Sequence, residues 1–491
     1  MSTINYYYLL FPFSILVLFL FLRSIYNPSL QKIPGPFWAR YTPFWRLFFV
    51  WDGKSPSKYY NLHKQYGPII RTGPKCVDIS DPAAIPVIYG ISSKYYKTQF
   101  YPIQSAIYEG TILYNMFSQI NPSVHKSFKQ PVANKFGMTS IRSFEPYVDQ
   151  CTDIFIEKMR AHADEAVDLS EWLQYYAFDV VGSITFQRRF GFMAEEKDVD
   201  GMMEGIWGLL TYSGIVGQVP SLHKFLLGNI PLMNLLTRCG LPGPVDRIVQ
   251  ITEDRIAAYD DEEKDAARGD FLGWLRTEVE KEGGKMSQRD LFNHLSNNLL
   301  AGSDTTAIGL RSALYFLIKN PSCYAKAVAE VDQADSEGRL SEHVSYEECL
   351  KLPYMQAVMK ESLRLHPGIG FPLERYVPPE GATICGVDLP GGTIVGINAH
   401  VVHRDKGVFG DDAEDFRPER WIEASPEQLK VMDRAFFAVS SSVFLDPEKK
   451  LLTYILVWRW REDLYWQEYL HHGNWEVCST DFKAFRLGMG I

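Results

Sequence analysis

The chain has 491 residues, 46% hydrophobic and 22% charged, with a formal net charge of −9. That is enough apolar side chain for a large core, and the acidic balance excludes a nucleic-acid-binding role, so no nucleic-acid partner is expected. The seven cysteines are odd in number and scattered without a C-x-x-C pair, which excludes a secreted disulfide framework and a structural zinc site.

The first element is an uncharged run, Tyr6–Leu22 (YYYLLFPFSILVLFLFL), at the short end for a membrane span. Met1–Asn5 carries no Lys or Arg, and Arg23 follows with no small-residue cleavage site, so the run reads as an anchor and not a signal peptide. Arg23, Lys32, Arg40 and Arg46 gather behind it, which puts the body of the protein on the cytosolic side. Pro28 and Ile33-Pro34-Gly35-Pro36 then break any helix and form a stiff hinge. No Gly/Ser linker or repeat divides the remainder of the chain. The expected organisation is an anchor at 1–24, a hinge at 25–37, one large domain at 38–438 and a distinct tail at 439–491.

Within the domain, Pro68–Gly73 and Cys76–Ser80 predict a short hairpin. Helical patterns dominate from about Asn121 to Asn320, broken by Pro/Gly loops such as Gly240–Pro244. Short strands return near 375–397, punctuated by Pro378-Pro379-Glu380-Gly381 and Pro390-Gly391-Gly392. The fold class is therefore mainly α with small β-sheets, without βαβ alternation.

Leu299–Leu317 predicts a long apolar helix with a polar notch, Ala301-Gly302-Ser303-Asp304-Thr305-Thr306. Burying Asp and two Thr side chains costs free energy unless they find partners. Ala301-Gly302 offers a flat surface for a large planar group, and a Thr hydroxyl bonded to a carbonyl one turn earlier loosens the helix. An ordinary core helix with satisfied polar residues is the plainer alternative. Downstream, Glu361 and Arg364 share a helical face at i,i+3, and Phe416-Arg417-Pro418-Glu419-Arg420-Trp421 can bring Arg420 onto Glu361.

With these motifs in this order, the chain resembles the cytochrome P-450 superfamily of membrane-anchored haem-thiolate monooxygenases. The match runs from about Pro34 to Ala438 and takes in the proline hinge, A-G-x-D-T, E-S-L-R, P-L-E-R (Pro372–Arg375), His403-Arg404-Asp405 and F-R-P-E-R-W. The resemblance implies haem b (iron protoporphyrin) as cofactor. It implies Asp304 and Thr305 as the proton-delivering pair, Ala301 and Gly302 as the haem-facing surface, and Glu361, Arg364 and Arg420 as a structural triad. Arg375 would pair with a haem propionate. His125 and Lys129 stand where the family has W-x-x-x-R, and Lys keeps the charge there but loses the fork of Arg.

The implied reaction is oxidation, typically hydroxylation, of a small hydrophobic molecule with O2 and NADPH-derived electrons from a membrane-bound NADPH-cytochrome reductase at the endoplasmic reticulum. Thr305 favours monooxygenation over the isomerase and dehydratase members. The F-R-P-E-R-W and M-D-R-A-F-F stretches resemble fungal members of specialised-metabolite pathways. Apolar, aromatic loops at 100–115, 207–219 and 368–373 are expected to meet the substrate.

The family's F-x-x-G-x-R-x-C-x-G signature should come after Met432-Asp433-Arg434-Ala435-Phe436-Phe437-Ala438, and it does not. Cys478 is the single cysteine beyond that point, in Trp475-Glu476-Val477-Cys478-Ser479, and lacks the signature around it, so no metal ligand is assigned and Cys478 is only a nominal one. The genetic code offers an explanation. Read one base out of frame from Val457, the single Trp codon forces glycine at Trp458, Trp460 and Trp466, and the neighbouring codons permit FGGGGRTCIG. Val439-Ser440 can encode a splice donor, Leu452-Thr453 a branch point and Leu456-Val457 an acceptor. The tail thus reads as a translated intron followed by an out-of-frame exon. A chain ending this way lacks its axial cysteine, is expected to be inactive, and is expected to lack the cysteine loop and the helix after it. The alternative is a membrane-anchored pseudoenzyme.

Overall fold

The computed structural model describes residues 28–438 apart from 242, 262–268 and 282–285, together with positions 12 and 15. The tail at 439–491 and, but for those two positions, the Tyr6–Leu22 run lie outside the described residues. Among the described residues no helix is long and apolar enough to cross a membrane.

The architecture is mainly helical with small sheets, as the sequence patterns predict. Its axis is the helix Gln288–Lys319, which begins well before the apolar stretch that announces it. The start is set by a capping box: Ser287 accepts from the Asp290 N–H while Asp290 reaches back to the Ser287 N–H. Leu291, Leu295 and Leu299 recur at helical spacing and are buried, each contributing about 1.5–3 kcal/mol by leaving water. They pack on the helix Leu169–Phe186, whose first turn is capped by Asp168.

The main sheet runs in the order Ile69–Gly73, Cys76–Ile79, Ile394–Ile397, Arg375–Tyr376, Tyr96–Lys97. The first two form the expected antiparallel hairpin, with an irregularity between Arg71 and Gly73. Cys76–Ile79 and Ile394–Ile397 pair in parallel, and every residue of the first two strands is buried, as strands covered on both faces must be. The edge pair sets Lys97 directly opposite Arg375.

The helix Pro353–Leu365 is joined to the segment after it by one carboxylate. Glu361 accepts from Arg364 Nε and Nη2 (2.8 Å each), Arg420 Nε (2.8 Å), Trp421 Nε1 (2.9 Å) and the Arg417 N–H (3.0 Å). Arg364 donates onward to the carbonyls of His403 and Ala413 (2.6 Å each), and Arg420 to those of Phe409 and Asp412. All three charged side chains are almost fully buried. Removing one partner of such a set leaves buried charge uncompensated, so Glu361→Gln is expected to lower unfolding free energy by about 3–5 kcal/mol. A denaturant titration at neutral pH checks this; an unchanged midpoint would contradict it.

Candidate active site

The helix Pro122–Val132 starts at Asn121, whose side chain accepts from the Ser123 and Val124 N–H groups, with Pro122 at the first helical position. This places His125 and Lys129 one turn apart on one face. Lys97 reaches the same space from the sheet edge, donating to the Met116 and Phe117 carbonyls (3.0 and 2.7 Å). Arg375 lies opposite it, donating to Tyr101 Oη and to the Glu374 carbonyl (2.9 Å). Like charges directly opposed across two strands are unfavourable.

The electrostatics show the consequence. Burial, reinforced by Arg375, pushes the Lys97 ammonium down to about 7. Burial pushes His125 down to about 4, with Lys97, Lys129 and Arg375 adding to the effect. Among the described residues none of these four side chains forms an ion pair. The adjacent carboxylate cannot serve: Glu374 is engaged by buried Arg46 and by Thr98 Oγ1 (3.0 Å). Lys97 was not visible as a site residue in the sequence, because its role comes from pairing with a strand almost three hundred positions away.

The notch lies on the Gln288–Lys319 helix, which is tied to the same region by Asn293 Nδ2 donating to the Tyr114 carbonyl (2.8 Å). Thr305 Oγ1 donates to the Ala301 carbonyl (2.8 Å), and Ser303 Oγ to that of Leu299 (2.9 Å). Asp304 turns toward the Leu169–Phe186 helix, where Gln174 Nε2 donates to its Oδ1 (3.0 Å). Gln174 Oε1 in turn accepts from Arg311 Nη2, and Arg311 Nε donates to the Ser170 carbonyl (2.8 Å). Burial raises the Asp304 carboxyl, against the opposing pull of Arg311 and Gln174. A Cβ at Gly302 would stand 3.0 Å from Val181 Cγ2, so its bare side also admits the neighbouring helix.

The described chain ends beside the cationic group. His403 donates through Nδ1 to the Arg364 carbonyl (2.9 Å), leaving Nε2 to accept from the Phe437 N–H (2.7 Å), and its ring stacks on Phe436. The Phe437 ring lies 4.6 Å from that of Tyr89, over which Arg375 sits.

Four half-buried basic side chains without a carboxylate, of which burial leaves His125 neutral and Lys97 only partly charged, fit the acidic edge of a group bearing two carboxylates, as haem does. The described cysteines lie elsewhere. Cys76 meets Arg46, Cys151 meets Ser183 and Cys385 meets Asp81; Cys323 and Cys349 sit in the helical core, and Cys239 is exposed. Cys478 lies outside the described residues.

Residues 34–438 match the family described as Cytochrome P-450. A cytochrome P-450 monooxygenase of Aspergillus terreus is 36% identical over 425 residues, spanning 85% of this chain and 86% of that protein. Cytochrome P-450 monooxygenase cicH of Emericella nidulans is 35% identical, spanning 84% of each chain, and gsfF of Penicillium aethiopicum is 34% identical, spanning 86% of this chain and 84% of its own. The chain belongs to the cytochrome P-450 family. Its class is oxidoreductase, and the cofactor of the class is haem.

The haem-free chain should carry a pH signature of the cationic group. Unfolded Lys97 holds its proton up to about 10.5 and folded Lys97 only to about 7, so the unfolded state binds more protons between these values and stability rises with pH there. For His125 the window is 6.5 down to about 4, and stability falls as pH falls through it. Lys97→Met should flatten the upper window and His125→Gln the lower, each by up to one proton in the slope of unfolding free energy against pH. Denaturant midpoints across pH 4–10 measure this, and slopes unchanged by either variant would contradict it.

Proposed function

We propose that the gene for this chain encodes a haem monooxygenase that oxidises, typically hydroxylates, a small hydrophobic metabolite with O2 and electrons from a membrane-bound NADPH-cytochrome reductase. The carrying observation is the set of basic side chains at Lys97, His125, Lys129 and Arg375 with no carboxylate among them. The fungal relatives, each called a monooxygenase, support the same reading; a place in specialised metabolism rests on the F-R-P-E-R-W and M-D-R-A-F-F stretches. Tyr6–Leu22 would anchor the protein to the endoplasmic reticulum, with domain 38–438 in the cytosol.

In this reading Lys97, Lys129, Arg375 and the donor face of His125 would hold the haem carboxylates. Haem held there would supply the oxidising chemistry that uses dioxygen, two electrons and two protons to insert one oxygen atom in substrate and release one water. Asp304 is the proton store: burial keeps its carboxyl easier to protonate, while Gln174 fixes its Oδ1. Thr305 Oγ1 passes a proton toward the substrate space when its bond to the Ala301 carbonyl breaks. Ala301 and Gly302 let the helix lie close to its neighbours at that point. Glu361, Arg364 and Arg420 hold the backbone that delivers residues 436–438.

What this exact chain lacks is the axial cysteine. We infer that 439–491 is a translated intron and an out-of-frame exon, that the frame carrying FGGGGRTCIG encodes the active form, and that the present polypeptide is inactive. Both versions are to be expressed, reduced and exposed to carbon monoxide. The restored version should give the red-shifted band of thiolate ligation and the present one should not; that band in the present chain would overturn the assignment of the ligand. In the restored version Thr305→Ala should cut product per electron pair about tenfold or more while dioxygen consumption continues. Unchanged coupling would remove Thr305 from the proton path.

A further inference from the structure

The helix Pro426–Ala435 stops at Phe436, which turns out of it with φ −71° and ψ 90°. Phe436 closes the last turn by donating to the Met432 carbonyl (2.8 Å). Phe437 is the first residue past that turn, and its half-buried N–H has no acceptor within the helix. A shielded donor left without an acceptor costs free energy. His403 Nε2 is the acceptor, at 2.7 Å.

Only one tautomer of the imidazole can do this. Its Nδ1 faces the Arg364 carbonyl (2.9 Å), which accepts and cannot donate, so Nδ1 carries the hydrogen and Nε2 is bare. Burial pushes the ring down to about 3, which keeps it neutral at ordinary pH. The backbone of His403 is held as well. Its N–H donates to the Ala399 carbonyl (2.9 Å), and its own carbonyl accepts from Arg364 Nη1 (2.6 Å). Arg364 therefore fixes His403 twice, through its guanidinium and through its carbonyl, and so relays the position of Glu361.

A second hold falls on the Phe437 side chain. Its ring lies 4.6 Å from that of Tyr89, tilted by 31°, a separation at which aromatic pairs attract. Tyr89 ends the helix Ala84–Tyr89 and is tied to two further segments. Its Oη donates to the Leu373 carbonyl (2.7 Å) and accepts from the Ile397 N–H (2.9 Å). Arg375 stands 5.3 Å from the centre of the same ring. Tyr89 thus joins the segment that carries Arg375 to the one that leaves the helix. Phe436 is packed separately, stacked on His403 and edge-on to Trp421. In the restored frame FGGGGRTCIG follows Ala438, which puts the cysteine eight positions further on. Groups that orient a ligand from outside its bond to the metal decide how well it binds.

We propose that His403 and Tyr89 are positioning residues for the axial ligand: His403 Nε2 holds the Phe437 backbone, the Tyr89 ring holds its side chain, and together they aim the segment that carries the cysteine. The purpose of this hold rests on the haem-monooxygenase reading; the hold itself does not. Two substitutions separate the two edges of the imidazole. In His403→Asn the amide takes the place of Nδ1 and donates to the Arg364 carbonyl, with nothing in reach of Phe437. In His403→Gln the longer side chain sets Oε1 where Nε2 stood and accepts from the Phe437 N–H.

Hydrogen exchange at the Phe437 amide of the present chain, read by mass spectrometry, should quicken at least tenfold in His403→Asn and stay within about threefold in His403→Gln. In the restored chain the reduced, carbon-monoxide-bound spectrum is recorded per folded protein, as judged by circular dichroism. The ratio of the red-shifted to the unshifted band should fall about fivefold in His403→Asn, as loss of one hydrogen bond implies, and by a similar factor in Tyr89→Leu. It should recover in His403→Gln and in Tyr89→Phe, which keeps the ring. Exchange unchanged by His403→Asn, or equal band ratios within either pair of variants, would overturn the proposal. An unsubstituted restored chain without a haem spectrum would instead contradict the monooxygenase reading, and the exchange result would stand apart from it.

Discussion

The Glu361 carboxylate is the constraint on which the rest of this structure depends. It is buried, it cannot be left unpaired, and its partners come from Arg364 on its own helix and from Arg417, Arg420 and Trp421. A buried ion set of this kind is a weak source of net stability, but it penalises every arrangement that separates its members. Satisfying it fixes the path of the chain from His403 to Trp421. Arg364 then holds the His403 carbonyl, the His403 ring receives the Phe437 N–H, and residues 436–438 are directed to the edge of the sheet beside Tyr89 and Arg375.

At that edge the fold has set an opposite problem. Lys97 and Arg375 face each other across paired strands, and His125 and Lys129 approach from a helix, with Glu374 drawn away by Arg46 and Thr98. Among the described residues no carboxylate balances this charge, and burial, reinforced by Arg375, pushes Lys97 down to about 7. A site that is unfavourable by itself and suited to two carboxylates is what an anionic cofactor requires, and it lies where the described chain ends. On the other side, Asp304 is positioned through Gln174 and Arg311 on and against the Leu169–Phe186 helix, so its setting depends on helix packing as much as on the notch.

Much of this was legible in the sequence for physical reasons. Glu361 and Arg364 sit at a spacing that only a helix makes useful, and Arg420 follows in a motif that carries its own turn. The hairpin at 69–79 and the short strands near 375–397 announce themselves through turn residues. Other features were not legible because they depend on distant pairing. Lys97 looks like a loop lysine until the sheet sets it against Arg375. The close approach of Val181 to Gly302 is likewise something no local pattern reveals. The true start of the long helix was signalled by Ser287 and Asp290, but its polar first turns hid it from a reading based on apolar periodicity.

The central claim is that the body of a complete haem enzyme stands here, with its ligand encoded one base away from the frame that yields Val439–Ile491. Sequencing the spliced message across the codons for Ala438 to Gln467 tests it most directly. The expected messages lack the bases from Val439 to the start of Val457 and read through a cysteine in FGGGGRTCIG. Messages that retain those bases in every copy would contradict it.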